Sequence, residues 1–258
     1  MRGLAICWCV IGLLVVPARA EETAAVNPRW DRCKGKHAPD AAPFAGRVAL
    51  TFDDGPSLAV TPAIVRVLRK HEVPATFFMV GRRLRTKKAR ALAASIAANP
   101  LFSLGNHSYS HPELASMSDR DVAREVDRTT RLLEEVIGGS PRFFRFPYSA
   151  ASCASANLVR ERGYRVAGWH VDSADWCYSA GRGRCRASLW RDLPDRLRSD
   201  MHGLVLERVR ANGGGIVLLH DTYQRTADQL DALITALRAD GYQFVALDDS
   251  AAFPLLNR

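Results

Sequence analysis

The chain has 258 residues, a formal net charge of +9, 47% hydrophobic residues and 24% charged residues. That balance belongs to a globular protein and excludes wholesale disorder, collagen-like chains and coiled coils. The opening residues are set apart: Arg2, an apolar run over 4–16 and the small-x-small site Ala18-Arg19-Ala20 have the layout of a secretory signal peptide over residues 1–20. The apolar run is shorter than the roughly 20 residues of a membrane span, so no integral membrane segment is expected after cleavage. A secreted or periplasmic location follows, and residues 21–258 keep a net charge of +7 because Arg2 and Arg19 leave with the signal. Such a balance suits an acidic polymer, a membrane surface or anionic cell-wall material, or simply a solvated surface. Nucleic acid is not an expected partner, since no basic block of the kind found in DNA-binding arms is present.

Cys33, Cys153, Cys177 and Cys185 remain after cleavage, an even number that suits two disulfides in an oxidising compartment. Cys177 with Cys185 would close a short Gly- and Arg-rich loop, which leaves Cys33 for Cys153. No pair has the C-x-x-C spacing of a cysteine zinc site.

Residues 21–45 form an irregular leader rich in Ala, Pro and charge, with Trp30 as its large apolar residue and Cys33 as its tether. The domain runs over 46–258. In it, strands are predicted at 47–54, 75–81, 102–107, 142–148, 165–172, 215–221 and 242–248. Helices are predicted between them at 61–71, 89–98, 119–137, 156–162, 189–212 (broken around Pro194) and 226–239. Ser118 caps the third helix, with Asp119 and Asp121 where the dipole favours them, and Gly138-Gly139 stops it. Leu230, Ile234 and Leu237 make a core-facing stripe on the last. Seven strand–helix units imply a parallel α/β architecture; periodicity leaves open whether it is barrel-like or doubly wound.

In either architecture, reactive residues gather at the C-terminal ends of the strands. Asp53 and Asp54 end the first strand, His107 the third, Arg145 to Tyr148 the fourth, Asp172 the fifth, and His220 with Asp221 the sixth. Asp53 and Asp54 are adjacent and should leave the strand on opposite sides, dividing tasks between them. His107 and His111 are four apart and face the same way if the segment is a helical turn. With one of the carboxylates they would make a two-histidine, one-carboxylate metal site with open positions, a set that zinc and non-haem iron share. His37, His71 and His202 have surface settings; His170 and Trp169 read as structural, and Trp30 and Trp190 as core or sugar-stacking residues.

Five motifs stand in order: Thr-Phe-Asp-Asp-Gly (51–55), His-Ser-x-x-His (107–111), Arg-x-Pro-Tyr (145–148), Asp-x-x-Asp-Trp (172–176) and Leu-x-His (218–220). Over residues 47–247 the chain resembles the polysaccharide deacetylases that share a NodB-type homology domain, carbohydrate esterase family 4. The resemblance implies a distorted (β/α) barrel with about seven parallel strands. It implies Asp53 as catalytic base, Asp54, His107 and His111 as metal ligands, and Arg145 as the residue that orients the base. It further implies the Tyr148 N–H as oxyanion donor, Asp172 as the acid that tunes the catalytic histidine, and His220 as general acid. Trp176 would line the sugar groove and Leu218 the acetyl pocket. The implied cofactor is a divalent metal, zinc first, with cobalt, nickel, manganese or iron as alternatives.

The implied partner is an acetylated polysaccharide or oligosaccharide, met by a monomer. The implied reaction is hydrolysis of N-acetyl groups on peptidoglycan or chitin-type N-acetylglucosamine. An O-acetyl xylan esterase with the same site and an inactive glycan-binding relative are the alternatives. Ser149-Ala150 stands where many members carry Gly soon after the Tyr, and the 177–185 insert directly follows Trp176.

Overall fold

The apolar run over 48–52 becomes the middle of the molecule. In the computed structural model, which describes residues 44–258, the chain begins with β1 (Arg47–Gly55), α1 (Thr61–Lys70), β2 (Ala75–Met79), α2 (Lys87–Ala97), β3 (Phe102–Asn106) and α3 (Asp119–Ile137). It continues through β4 (Phe143–Phe144), α4 (Cys153–Glu161), β5 (Arg165–Val166), β6 (Val171–Asp172) and α5 (Asp175–Ala180). It ends with α6 (Met201–Asn212), β7 (Gly215–His220), α7 (Gln224–Ala239) and β8 (Gln243–Phe244). The Cys33–Cys153 pairing, the signal segment and most of the leader fall outside the described residues.

The strands lie in the order β5-β4-β3-β2-β1-β7-β6, with β8 attached to the start of β1, and the ladders among the described residues are all parallel. The segment predicted as one strand over 165–172 is in fact two. β5 pairs with β4 at one edge of the sheet and β6 with β7 at the other, so residues 167–170 bridge the two edges. A link that short requires the sheet to curl until its edges nearly meet. The fold is therefore a curled, incomplete barrel of seven successive parallel strands, with β8 as a short addition beside β1, which settles the choice that periodicity left open.

Other elements shrink for local reasons. The fourth strand stops at Phe144 because Pro147 and a left-handed Tyr148 (φ 56°) turn the chain, and the last pairs over two residues only. Of the helix predicted over 189–212, only the part after Asp200 forms. The preceding stretch is organised by buried Arg198, which donates to the carbonyls of Cys185, Trp190 and Arg191 and pairs with Asp195 at 2.7 Å. Helix α3 keeps its predicted bounds: the Ser118 side chain accepts from the Asp121 N–H, and Gly138 takes the left-handed cap (φ 73°). Helix α5 was not anticipated.

Alternation along the central strands decides what faces the site. Val48, Leu50 and Phe52 of β1, Phe77 and Met79 of β2, and Val217 and Leu219 of β7 pack outward against the helices. Ala49, Phe78 and Ile216 point into the curl, where Phe44, Phe143, Leu247 and Phe253 close it. By the same parity Thr51, Asp53, Leu218 and His220 line the interior. His170 is structural, as expected: its ring packs 4.2 Å from that of Phe44, and its Nδ1 accepts from the Ile216 N–H. No helix among the described residues is long and apolar enough to cross a membrane.

Candidate active site

The strand parity brings Asp53 and His220 side by side, since the two residues are in register between β1 and β7. Asp54 departs from the expected geometry. The ladder to β2 slips between Asp53 and Gly55, and Asp54 takes a left-handed conformation (φ 76°). This bulge cancels the alternation that should send adjacent side chains apart. Both carboxylates thus approach His107 Nε2, Asp53 Oδ2 at 3.7 Å and Asp54 Oδ1 at 3.6 Å.

Their partners still divide them. Asp53 Oδ1 accepts from Arg145 Nη1 at 2.8 Å. Arg145 is fully buried, and it also donates to Thr51 Oγ1 and to the carbonyls of Ala167 and Gly168. Those carbonyls lie in the break between β5 and β6, so one guanidinium replaces ladder bonds that the incomplete barrel lacks. Its face also lies 4.2 Å from the Phe78 ring centre.

Asp54 faces the histidines. Its Oδ1 lies 3.2 Å from His111 Nε2, yet this buried oxygen makes no hydrogen bond. Burial works to raise the Asp54 carboxyl, but His107, His220, His111 and Arg83 together outweigh it and hold it below the usual value. His111 is pushed down to about 4, by burial first and then by His107, so its ring is neutral at physiological pH. His107 Nδ1 meets the Arg145 carbonyl at 2.8 Å, which fixes the proton there and leaves Nε2 as a lone-pair donor.

The ligand atoms of Asp54, His107 and His111 lie within 4.8 Å of one another. An unpartnered buried carboxylate oxygen facing two imidazole nitrogens is a donor set that fits a divalent cation. The loop carrying the histidines is not a helical turn: Ser108 and His111 both have positive φ. It is shaped by Glu125, which accepts from the N–H groups of Tyr109 and Ser110, and by buried Asn106, whose Oδ1 accepts from Ser108.

His220 is held by a residue other than the one expected. Its Nδ1 meets Asp175 Oδ1 at 2.7 Å, and its backbone N–H donates to Asp175 Oδ2. Asp172 instead accepts from the Ala174 N–H at 2.8 Å, and burial raises its carboxyl. The cause is local: Ala174 is left-handed (φ 56°), and that reversal turns Asp175 back toward β7. Burial alone would lower the His220 pKa, but the charge and hydrogen bond of Asp175, helped by Asp53 and Asp54, raise it to about 10.

The remaining expected residues ring this centre. The exposed Tyr148 side chain crosses the His111 ring edge-on at 4.5 Å between centres. Tyr148 and Ser149 are both left-handed without being Gly, a conformation that costs about 1–2 kcal/mol per residue. Leu218 is buried on the inner face of β7. Trp176 stacks on Trp190 at 6.1 Å and 11°. The Cys177–Cys185 disulfide is formed beside them, with its Cα atoms 4.9 Å apart.

Three neighbours lie outside the five motifs, and of these only Asp221 was marked in the sequence, as a strand-end residue. Tyr223 lies 5.4 Å from the His220 ring. Arg83 acts electrostatically on Asp54. Buried Asp221 accepts from Thr61 Oγ1 at 2.6 Å and packs so tightly on Gly55 that a Cβ there would sit 2.1 Å from its Oδ2. Burial raises the Asp221 carboxyl to about 7.

A family model described as polysaccharide deacetylase matches residues 42–167. A solved peptidoglycan N-acetylglucosamine deacetylase, Bc1960, superimposes with a TM-score of 0.65 at 30% identity, over 81% of this chain and 89% of that one. The chain belongs to the polysaccharide deacetylase family. It is 32% identical over 214 residues to the peptidoglycan-N-acetylglucosamine deacetylase PgdA of Listeria monocytogenes, covering 79% of this chain but 38% of the relative's length. It is also 35% identical over 130 residues to the chitooligosaccharide deacetylase of Azorhizobium caulinodans, covering 50% of this chain and 60% of that one.

Proposed function

We propose that this family member is an exported hydrolase that removes N-acetyl groups from a glycan of the peptidoglycan or chitin type. One observation carries the reading. A carboxylate held by a buried arginine and a histidine held by a buried aspartate are in register on adjacent strands, beside a two-histidine, one-aspartate cluster. That pairing is a base and an acid, each held in place by its own partner.

Asp54, His107 and His111 would hold a divalent ion, zinc first, and when bound it would supply Lewis acidity toward water and the acetyl carbonyl. Asp53, aimed by Arg145, takes the proton of the attacking water. The Tyr148 N–H donates to the oxygen that becomes negative on the acetyl carbon. His220, kept protonated by Asp175, gives a proton to the departing amine nitrogen. Leu218 lines the pocket for the acetyl methyl, and Trp176 with Trp190 offers a stacked aromatic face to sugar rings. The test is acetate release from N-acetylated glycans and from O-acetylated xylan, before and after chelation. Release from N-acetylated glycan that chelation abolishes and zinc restores is expected; undiminished release after chelation would overturn the metal assignment.

The signal reading at residues 1–20, the domain start near residue 46 and the Cys33–Cys153 bridge belong to the same proposal. N-terminal sequencing of the exported protein should begin at Glu21, and peptide mapping without reductant should recover the two cysteine peptides joined.

A further inference from the structure

The basic charge of the chain is not spread over its surface. Between Glu72 and Glu113 there is no acidic residue, while Arg82, Arg83, Arg85, Lys87, Lys88 and Arg90 all fall in that interval. Of the +7 on residues 21–258, +6 therefore lies in residues 73–112, leaving +1 for all the rest. Arg82, Arg83, Arg85, Lys87 and Lys88 are exposed. None of the six takes part in the ion pairs found among the described residues. Lys87 and Lys88 occupy the first turn of α2, which holds no acidic residue. There the helix dipole disfavours cations by about 0.3–1 kcal/mol each. Fold stability therefore does not account for this placement.

The segment is also stitched to the candidate metal loop. The Gly81 N–H donates to the Ser108 carbonyl at 3.0 Å and the Arg82 N–H to the Tyr109 carbonyl at 2.8 Å. Arg83 lies close enough for its charge to lower the Asp54 and Asp221 carboxyls. At the far end Glu135 shares a groove with Lys87 and Arg90 and offsets part of their charge. The cationic track therefore runs outward from the rim of the site and weakens where α2 meets α3.

We propose that residues 82–88 bind carboxylates on the glycan strand whose acetyl group lies at the site, so that the enzyme selects an acidic N-acetylated glycan over a neutral one. The proposal rests on the deacetylase reading. The occupant follows from continuity: a polymer that presents one acetyl group at the rim extends past it, and the track starts at that rim. Arginine matches carboxylates through paired N–H donors, and unpaired surface cations attract a polyanion in a salt-dependent way.

The experiment compares one N-acetylglucosamine polymer with and without introduced carboxylates, using wild type and Arg82→Gln/Arg85→Gln/Lys88→Gln. Both acetate release and polymer co-sedimentation are read, at low salt and at roughly 0.3 M salt, where exposed charges are well screened. The variant should raise KM for the acidic polymer about tenfold and flatten its salt dependence, equivalent to roughly 1.4 kcal/mol. Its neutral-polymer turnover should match wild type. Equal losses on both polymers, or no loss on the acidic one, would overturn the proposal, as would binding of the track to anionic vesicles but not to the acidic polymer. If wild type releases acetate from neither polymer, the deacetylase reading fails, and co-sedimentation still decides whether the track binds acidic glycan.

Discussion

Asp175→Asn separates charge from geometry at the histidine. The wild-type carboxylate accepts from His220 Nδ1 and the Trp176 N–H at one oxygen, and from the His220 N–H and the Thr226 hydroxyl at the other. An asparagine keeps one acceptor but turns its amide N–H toward a donor whichever way it is placed. That mismatch destabilises the fold by about 1–3 kcal/mol at every pH. The charge effect depends on pH. Holding His220 at about 10 instead of 6.5 favours its protonated form by about 5 kcal/mol.

A raised histidine pKa contributes stability that is complete below about pH 6.5 and lost as pH rises through about 10. In metal-free protein, the stability gap between wild type and variant should therefore shrink by about 1.4 kcal/mol per pH unit across that window. Without the Asp175 charge, burial returns the histidine toward its ordinary value. At about pH 8.5 a group with a pKa near 6.5 is roughly 1% protonated, so kcat should fall about a hundredfold there and only a few-fold near about pH 6. Chemical unfolding and a pH–kcat profile measure the two effects. A variant slower by the same factor at all pH values would refute the reasoning, because Asp175 would then only position the ring.

Arg145→Met leaves the Ala167 and Gly168 carbonyls and Asp53 without their shared donor, and should cost about 3–5 kcal/mol in urea unfolding, with Arg145→Lys a poor rescue. Gly55→Ala places a Cβ 2.1 Å from Asp221 Oδ2, so it should destabilise the protein by about 1–3 kcal/mol and weaken zinc binding measured calorimetrically. His111→Ala should reduce zinc affinity by at least about a hundredfold while leaving the metal-free melting temperature within a few degrees, since its lost partner is an oxygen already without a hydrogen bond. Replacing Cys177 and Cys185 by Ser opens a bridge of separation 8 and should cost about 2.5 kcal/mol by chain entropy, read as a lower melting temperature.

What the sequence disclosed and what it hid have the same physical origin. Strand ends can be read along the chain, which is why Asp53, His107 and His220 were legible at one rim, whereas Leu218 came only from the family resemblance and its place on the inner face from the strand parity. Counting fails wherever one residue leaves the extended region. The bulge at Asp54 sends two adjacent carboxylates the same way, and the left-handed Ala174 passes the histidine from Asp172 to Asp175. Both aspartates stood in the Asp-x-x-Asp-Trp motif, but only the local reversal decides between them. The split of 165–172 was hidden for a longer-range reason: a segment carrying the strand formers Val166, Trp169 and Val171 reads as one strand until the sheet is known to curl. Glu125 and Arg198 carry no motif because each holds a loop from a distant or irregular part of the chain, through backbone groups that any sequence would present. The charge summary hid most. A net value of +7 suggests a diffuse surface, whereas the absence of any carboxylate over 73–112 turns it into a direction on the molecule, beginning at the metal loop. Position along the chain, once the fold stitches that interval to His107 and His111, makes the same number an argument about substrate.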